Sequence, residues 1–299
     1  MAAMTFDELM ATTQRLNVSV EALAAVAACL RLRAEGMAAP AAVDRLAHEA
    51  ATLVGIDDLE QMTPEQCQMA VGAVRAFFRQ AAELIDAPDR PCGWITDDPA
   101  VLQSQGRASM MVAGLLASLA PGVGDLDRRL RSGSPAVLDL GTGTGWLAIA
   151  LAETFPQATV VGVDVAEAPL ALAHTNLASS GVADRVSFRH GDAAHLVDEA
   201  AFDLVWVPGP FLAEAAVPAV LQAAHRALRP GGWAMFGRYA GPDDPLAATL
   251  VDLRTVRSGG HPWRAGDVEA LLAAHGFTEV ITPRRTWAAP MAFSFGRRA

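Results

Sequence analysis

Three glycines at alternate positions, Gly141, Gly143 and Gly145, interrupt an otherwise apolar run in AVLDLGTGTGWLAIALA, residues 136 to 152. Glycine lacks a Cβ and tolerates positive φ, so such a loop lets a ligand lie against backbone N–H groups, and a helix starting near Trp146 aims more of them at it. A nucleotide or nucleoside is what this loop suits. By itself it is ambiguous: GTGWLA over 143 to 148 fits the dinucleotide pattern G-x-G-x-x-A, whereas the whole loop reads G-x-G-x-G. Asp164 ends TVVGVD, about 20 residues further on, where a carboxylate accepts from both hydroxyls of a ribose under either reading. Asp192, in HGDA, is within reach of an exocyclic amine on the same nucleoside, which favours adenosine without a pyrophosphate. Each carboxylate also has a plainer use. Asp164 suits a cap for the next helix, Asp192 a cap for a short helix over 193 to 197, and Asp139 an acceptor for the loop amides.

The elements that must position these groups follow from periodicity. Beyond Pro135 short β-rich runs (AVLDL, TVVGVD, RVSFRH, FDLVWV, GWAMFGR, TEVITP, PMAFSFG) alternate with helical stretches, the pattern of a parallel sheet covered on both faces. Arg238 and Tyr239 then follow the fifth strand. The glycine loop, Asp164, Asp192 and the residues after Val207 each follow a different strand, so one sheet edge gathers them. From Thr5 to Asp86 the spacing is helical throughout, and TPEQ at 63 to 66 predicts a capped start with Pro64 at the first helical position. Pro88, Pro91, Gly93 and Pro99 break that run. A cut near Trp94 gives a helical domain over 1–93 and an α/β domain over 94–299.

VLDLGTGTG, VVGVD, GDA, FDLVWVPGPF and ALRPGGWAMFG together resemble the class I S-adenosylmethionine-dependent methyltransferases, small-molecule type with an N-terminal helical domain. The resemblance runs over residues 98–299. It implies a Rossmann-like seven-stranded sheet of order 3-2-1-4-5-7-6 with an antiparallel last strand, S-adenosylmethionine as cofactor and S-adenosylhomocysteine as product. It places the methionyl portion at Asp139 and the backbone of Gly141, Thr142, Gly143 and Gly145, the ribose at Asp164 beside Val165, and the adenine at Gly191, Asp192 and Ala193, with Val207 also at the cofactor. One departure bears on the acceptor. Enzymes of this class that methylate planar amines in adenine, cytosine or protein glutamine carry Asn/Asp/Ser-Pro-Pro-aromatic after the fourth strand, where this chain reads VPGPF, and Val207 has no side-chain acceptor. A small, partly apolar acceptor methylated on oxygen is the expectation.

In-line transfer depends chiefly on orientation, and a general base matters only when the nucleophile carries a proton. His261, in RSGGHPW, is the first choice of base and Tyr239 the second candidate catalytic group, with Trp94, Pro208, Phe211, Arg238 and Trp263 as substrate contacts. His190, one residue before the adenine turn, is the next candidate base, and His174 and His225 fall within helices and read as structural. Two rival readings stand: a relative that binds S-adenosylmethionine or its demethylated product as a regulator or uses it without methylating, and a nicotinamide dehydrogenase.

A net charge of -10 with no lysine gives no basic footprint for nucleic acid. The longest uncharged apolar stretch, 108 to 120, is too short for a bilayer, and no secretory signal is apparent, so a cytoplasmic protein is expected. Cys29, Cys67 and Cys92 show no metal-ligand pairing and no other ligand spacing predicts a metal. The helical first third is expected to act as a lid and in homodimerisation.

Overall fold

A computed structural model describes residues 5–53, 61–93, 96, 98–241, 244–287 and 289–299. The chain forms two compact units, residues 1–89 and 90–299. The first holds α1 (Phe6–Ala34), α2 (Ala41–Leu53) and α3 (Pro64–Asp86). Thr5 and Glu8 form a capping box at the start of α1, and Thr63 and Gln66 form another at α3 with Pro64 in its first turn. The helices share a core of Ala25, Leu30, Ala47, Ala51, Cys67 and Val71.

In the second unit α4 (Pro99–Ser109), α5 (Met111–Leu119) and α6 (Leu126–Arg131) precede the sheet. Then follow β1 (Ala136–Leu140), α7 (Trp146–Thr154), β2 (Thr159–Asp164), α8 (Glu167–Ala178), β3 (Val186–His190), β4 (Phe202–Pro208), α9 (Val217–Ala227) and β5 (Leu228–Tyr239). The chain closes with α10 (Pro245–Arg257), α11 (Ala265–Ala274), β6 (Phe277–Ile281) and β7 (Met291–Arg298). The seven strands lie in the order β3-β2-β1-β4-β5-β7-β6, with β7 antiparallel to both neighbours, as the resemblance implies.

The sheet has a core on each face, which is why its parallel strands read as continuous apolar runs. On one face Leu147, Ile149, Leu151 and Phe155 of α7 and its exit pack with Trp233, Met235, Phe293 and Phe295. On the other, Leu138, Val205, Ala234 and Phe236 pack with residues of α9 and α11 and with Trp263. β5 is longer than its apolar run suggests. Arg238 and Tyr239, expected beyond the strand, are its last two residues, because pairing with β7 continues through Arg238–Ala292 and Tyr239–Met291. The strand order reverses between β1 and β4, and the crevice at their C-terminal ends is where a ligand fits such a sheet. No helix among the described residues is long and apolar enough to cross a membrane.

Candidate active site

The turn from β1 to α7 needs its glycines for two reasons. Gly141, Gly143 and Gly145 have φ of +64°, +55° and +78°, the left-handed region that costs other residues. At Gly145 space is limiting too, since a Cβ would lie 2.4 Å from the Phe188 ring. Two carboxylates brace the turn. Asp139 is buried; its Oδ2 accepts from the Thr142 hydroxyl at 2.7 Å, and its Oδ1 has no donor among the described residues. Asp164 accepts from the Gly143 N–H at 2.7 Å through Oδ2 and from the Ala166 N–H at 2.9 Å through Oδ1. Its helix-capping use is thus present in part, together with a grip on the loop.

The turn after β3 lies next to this. The Gly191 N–H donates to the Asp164 carbonyl, and the His190 Nε2 lies 2.9 Å from the Val165 carbonyl, which ties His190 to backbone. Asp192 caps a 3-10 turn at Ala193–His195, shorter than the helix expected over 193 to 197. Its carboxylate accepts from the Ala194 N–H and meets the His195 Nδ1, each at 2.9 Å, and these bonds hold its pKa below the usual carboxylate value. It remains half exposed.

A third brace has no sequence signal. Asn176 on α8 donates to the Thr144 carbonyl at 2.9 Å and exchanges hydrogen bonds with Gln103 on α4, while Gln103 accepts from the Trp146 indole at 2.6 Å. The Arg107 guanidinium lies over the Trp146 ring. α4 and α8 thereby hold the helix start against the loop.

Residues 137–232 match a methyltransferase-domain family. That stretch carries a methyltransferase-domain pattern, and the strand order around it is that of the class I methyltransferase fold. The match falls on the glycine turn, both acidic strand ends and the β4 edge. The release factor glutamine methyltransferase of Cereibacter sphaeroides is 42% identical over 101 residues, covering 32% of this chain and 36% of that protein. The ubiquinone biosynthesis O-methyltransferase of Pseudomonas syringae pv. tomato is 37% identical over 120 residues, 37% of this chain and 47% of its own length. The chain thus spans less than half the length of these curated relatives. The whole fold is similar to human N-acetylserotonin methyltransferase in complex with SAM, with a TM-score of 0.66 at 16% identity over 100% of this chain and 99% of that one.

S-adenosylmethionine fits the residues present. The β1–α7 turn sets three glycines with positive φ at the strand end, Asp139 supplies an unsatisfied acceptor and Asp164 a carboxylate at the end of β2. Val207 does not reach this edge by its side chain. It is fully buried inside β4, paired with Phe236, and Phe211 is the first exposed residue beyond the strand. Pro208 instead backs the loop, 3.1 Å from where a Gly141 Cβ would stand.

Over the neighbouring strand ends lie the candidate acceptor groups. The loop from 257 to 263 rests on the turn after β4, since a Cβ on Gly260 would lie 2.3 Å from the Pro210 carbonyl. The His261 Nδ1 sits 3.0 Å from a Glu214 carboxylate oxygen, and the imidazole packs at 4.3 Å on the Trp263 ring, itself edge-on to Phe236. Glu214 was not a sequence candidate; only folding brings the two loops together. Tyr239 packs edge-on against Phe211, and burial pushes its phenol up to about 12. It stays protonated at neutral pH, which suits packing better than proton abstraction. Trp94 lies outside the described residues. Among the described residues no group of three or more His, Cys, Asp or Glu gathers as a metal site.

Asp139 makes the site pH-sensitive. Burial raises its pKa from 3.8 to about 7; the Thr142 bond opposes this and Asp164 adds to it. The folded protein therefore binds a proton that the unfolded chain releases, so stability falls as pH rises from about 4 to about 7 and levels above. A cationic ligand favours the ionised form, so S-adenosylmethionine affinity should rise up to roughly tenfold between about pH 6 and pH 8. Calorimetric titration across that range checks this, and Asp139→Asn should flatten the profile; equal slopes in both proteins would refute the role of Asp139.

Proposed function

We propose that the protein transfers a methyl group from S-adenosylmethionine to an oxygen of a small, partly apolar acceptor. The observation that carries this reading is the joint bracing of the glycine turn by Asp139 and Asp164, which leaves one buried acceptor atom, Asp139 Oδ1, for a ligand. Bound S-adenosylmethionine supplies an electrophilic methyl on a sulfonium. The chain's part is to orient the acceptor, an effect that contributes on the order of 7 to 11 kcal/mol, and to take up its proton. Asp164 holds the ribose hydroxyls and Asp192 the adenine amine. Glu214 accepts the Nδ1–H of His261, which leaves Nε2 free to receive the hydroxyl proton of the acceptor.

The lack of a side-chain acceptor at Val207 weighs against a planar amide such as the glutamine of the release-factor relatives, and the O-methyltransferase relative supports oxygen. The exposed apolar residues Phe6, Leu9, Met10, Leu16, Val20 and Leu23 of α1 support a homodimer through the N-terminal helices. Calorimetry with S-adenosylmethionine, S-adenosylhomocysteine and NAD tests the cofactor assignment. Micromolar binding of the first two without NAD is expected; NAD binding alone would replace methyl transfer with hydride transfer. Release of S-adenosylhomocysteine in step with acceptor consumption then separates an enzyme from a binding protein.

A further inference from the structure

Beyond His261, the C-terminal end of β5 carries cations that the fold leaves unspent. Ala234 and Phe236 face the core shared with Trp263, Val268 and Leu272. Strand alternation puts Arg238 on that same side, one pleat further out. Arg238 is half-buried, its Nε is enclosed without an acceptor, and among the described residues it has no hydrogen-bond or ion-pair partner. Arg285, in the connection from β6 to β7, donates Nη1 to the carbonyl of Ala240, the first residue past β5. It too is half-buried and has no ion pair among the described residues. The nearby Arg264 is already held by both oxygens of Asp252. The Trp263 indole Nε1 is a further enclosed donor without a partner.

Guanidinium groups withdrawn from water and set near one another are costly unless an anion joins them. Burial, then Arg264 and Arg285, lowers the Arg238 pKa, while Glu269 and Asp267 on α11 offset this without bonding to it. In a chain of net charge -10, a local excess of unpaired cation is not a by-product of composition.

We propose that Arg238 and Arg285 bind a carboxylate carried by the methyl acceptor, with the Trp263 N–H as a third donor between that anchor and His261. The proposal rests on the methyl-transfer reading. Two planar guanidinium forks match the two oxygens of a carboxylate, and a pairing of this kind fixes orientation as well as affinity. The same strand end thus gives the acceptor one charged terminus to be held by and one proton to lose at His261, which is the orientation that in-line transfer needs.

The test uses the full-length protein saturated with S-adenosylhomocysteine and sodium acetate as the smallest carboxylate probe, at constant ionic strength set by chloride. The Nε–H resonance of Arg238, assigned by its loss in Arg238→Gln, is followed by nuclear magnetic resonance. A saturable shift with acetate and none with neutral acetamide is expected, with at least tenfold weaker response in Arg285→Gln. No saturable shift, an equal response in Arg285→Gln, or tighter binding of inorganic phosphate than of acetate would overturn the carboxylate assignment. Calorimetry of S-adenosylhomocysteine on the same samples keeps the two readings apart. Normal cofactor binding with no acetate response removes the anion site alone, whereas absent cofactor binding removes the methyl-transfer reading.

Discussion

Replacing Asp164 by alanine is expected to weaken S-adenosylmethionine binding at least tenfold while leaving the protein folded. Two losses combine in that figure. The carboxylate that would accept from the ribose hydroxyls is gone, and so are the bonds of 2.7 Å and 2.9 Å that hold the Gly143 and Ala166 N–H groups. Hydrogen bonds to a charged acceptor contribute about 1.5 to 3 kcal/mol each, so either loss alone reaches tenfold, which is about 1.4 kcal/mol. Asp164→Asn separates them. The amide keeps one acceptor oxygen, so the variant should retain part of the loop bracing and bind with intermediate affinity. Calorimetric titration gives the affinities and circular dichroism with thermal melting gives the fold; unchanged affinity in a folded Asp164→Ala protein would remove the ribose assignment.

The cofactor side was legible in the sequence because its constraints are local. Gly141, Gly143 and Gly145 have positive φ, so the residue type announces the backbone, and Asp164 ends a strand whose apolar run marks its limits. The capping boxes at Thr5 and Thr63 are local in the same way, each a Thr followed three residues later by Glu or Gln. Asp192 was legible as a cap, and that role is formed. What was not legible depends on residues distant in the chain. Pairing with β7 decides that Arg238 belongs to β5, and packing of the 257 to 263 loop on Pro210 decides that His261 finds Glu214. Val207 lies buried within β4, which continues through Pro208. The Asn176–Gln103 brace joins two helices through single polar residues that no periodicity marks.

Substituting His261 by alanine should lower turnover about 100-fold or more at saturating cofactor, with S-adenosylmethionine affinity unchanged. The expectation follows from what holds the imidazole. Glu214 engages Nδ1 at 3.0 Å, Trp263 supports the ring at 4.3 Å, and the loop is seated on the turn after β4, so the imidazole is held in one orientation. A partly exposed His–Glu pair is worth little to stability, so a large loss of rate with little loss of melting temperature would report chemistry rather than unfolding. Glu214→Gln should cost less, about tenfold, because the amide oxygen can still accept the Nδ1–H and keep the ring oriented, through a weaker hydrogen bond. Added imidazole should restore part of the rate to His261→Ala, since the vacated space beside Trp263 suits the free base, and should do nothing for Glu214→Gln. Turnover of His261→Ala within twofold of wild type would remove His261 as the base. Orientation by the pocket alone would then have to drive transfer, which is chemically sufficient only for an acceptor that is already ionised when it binds.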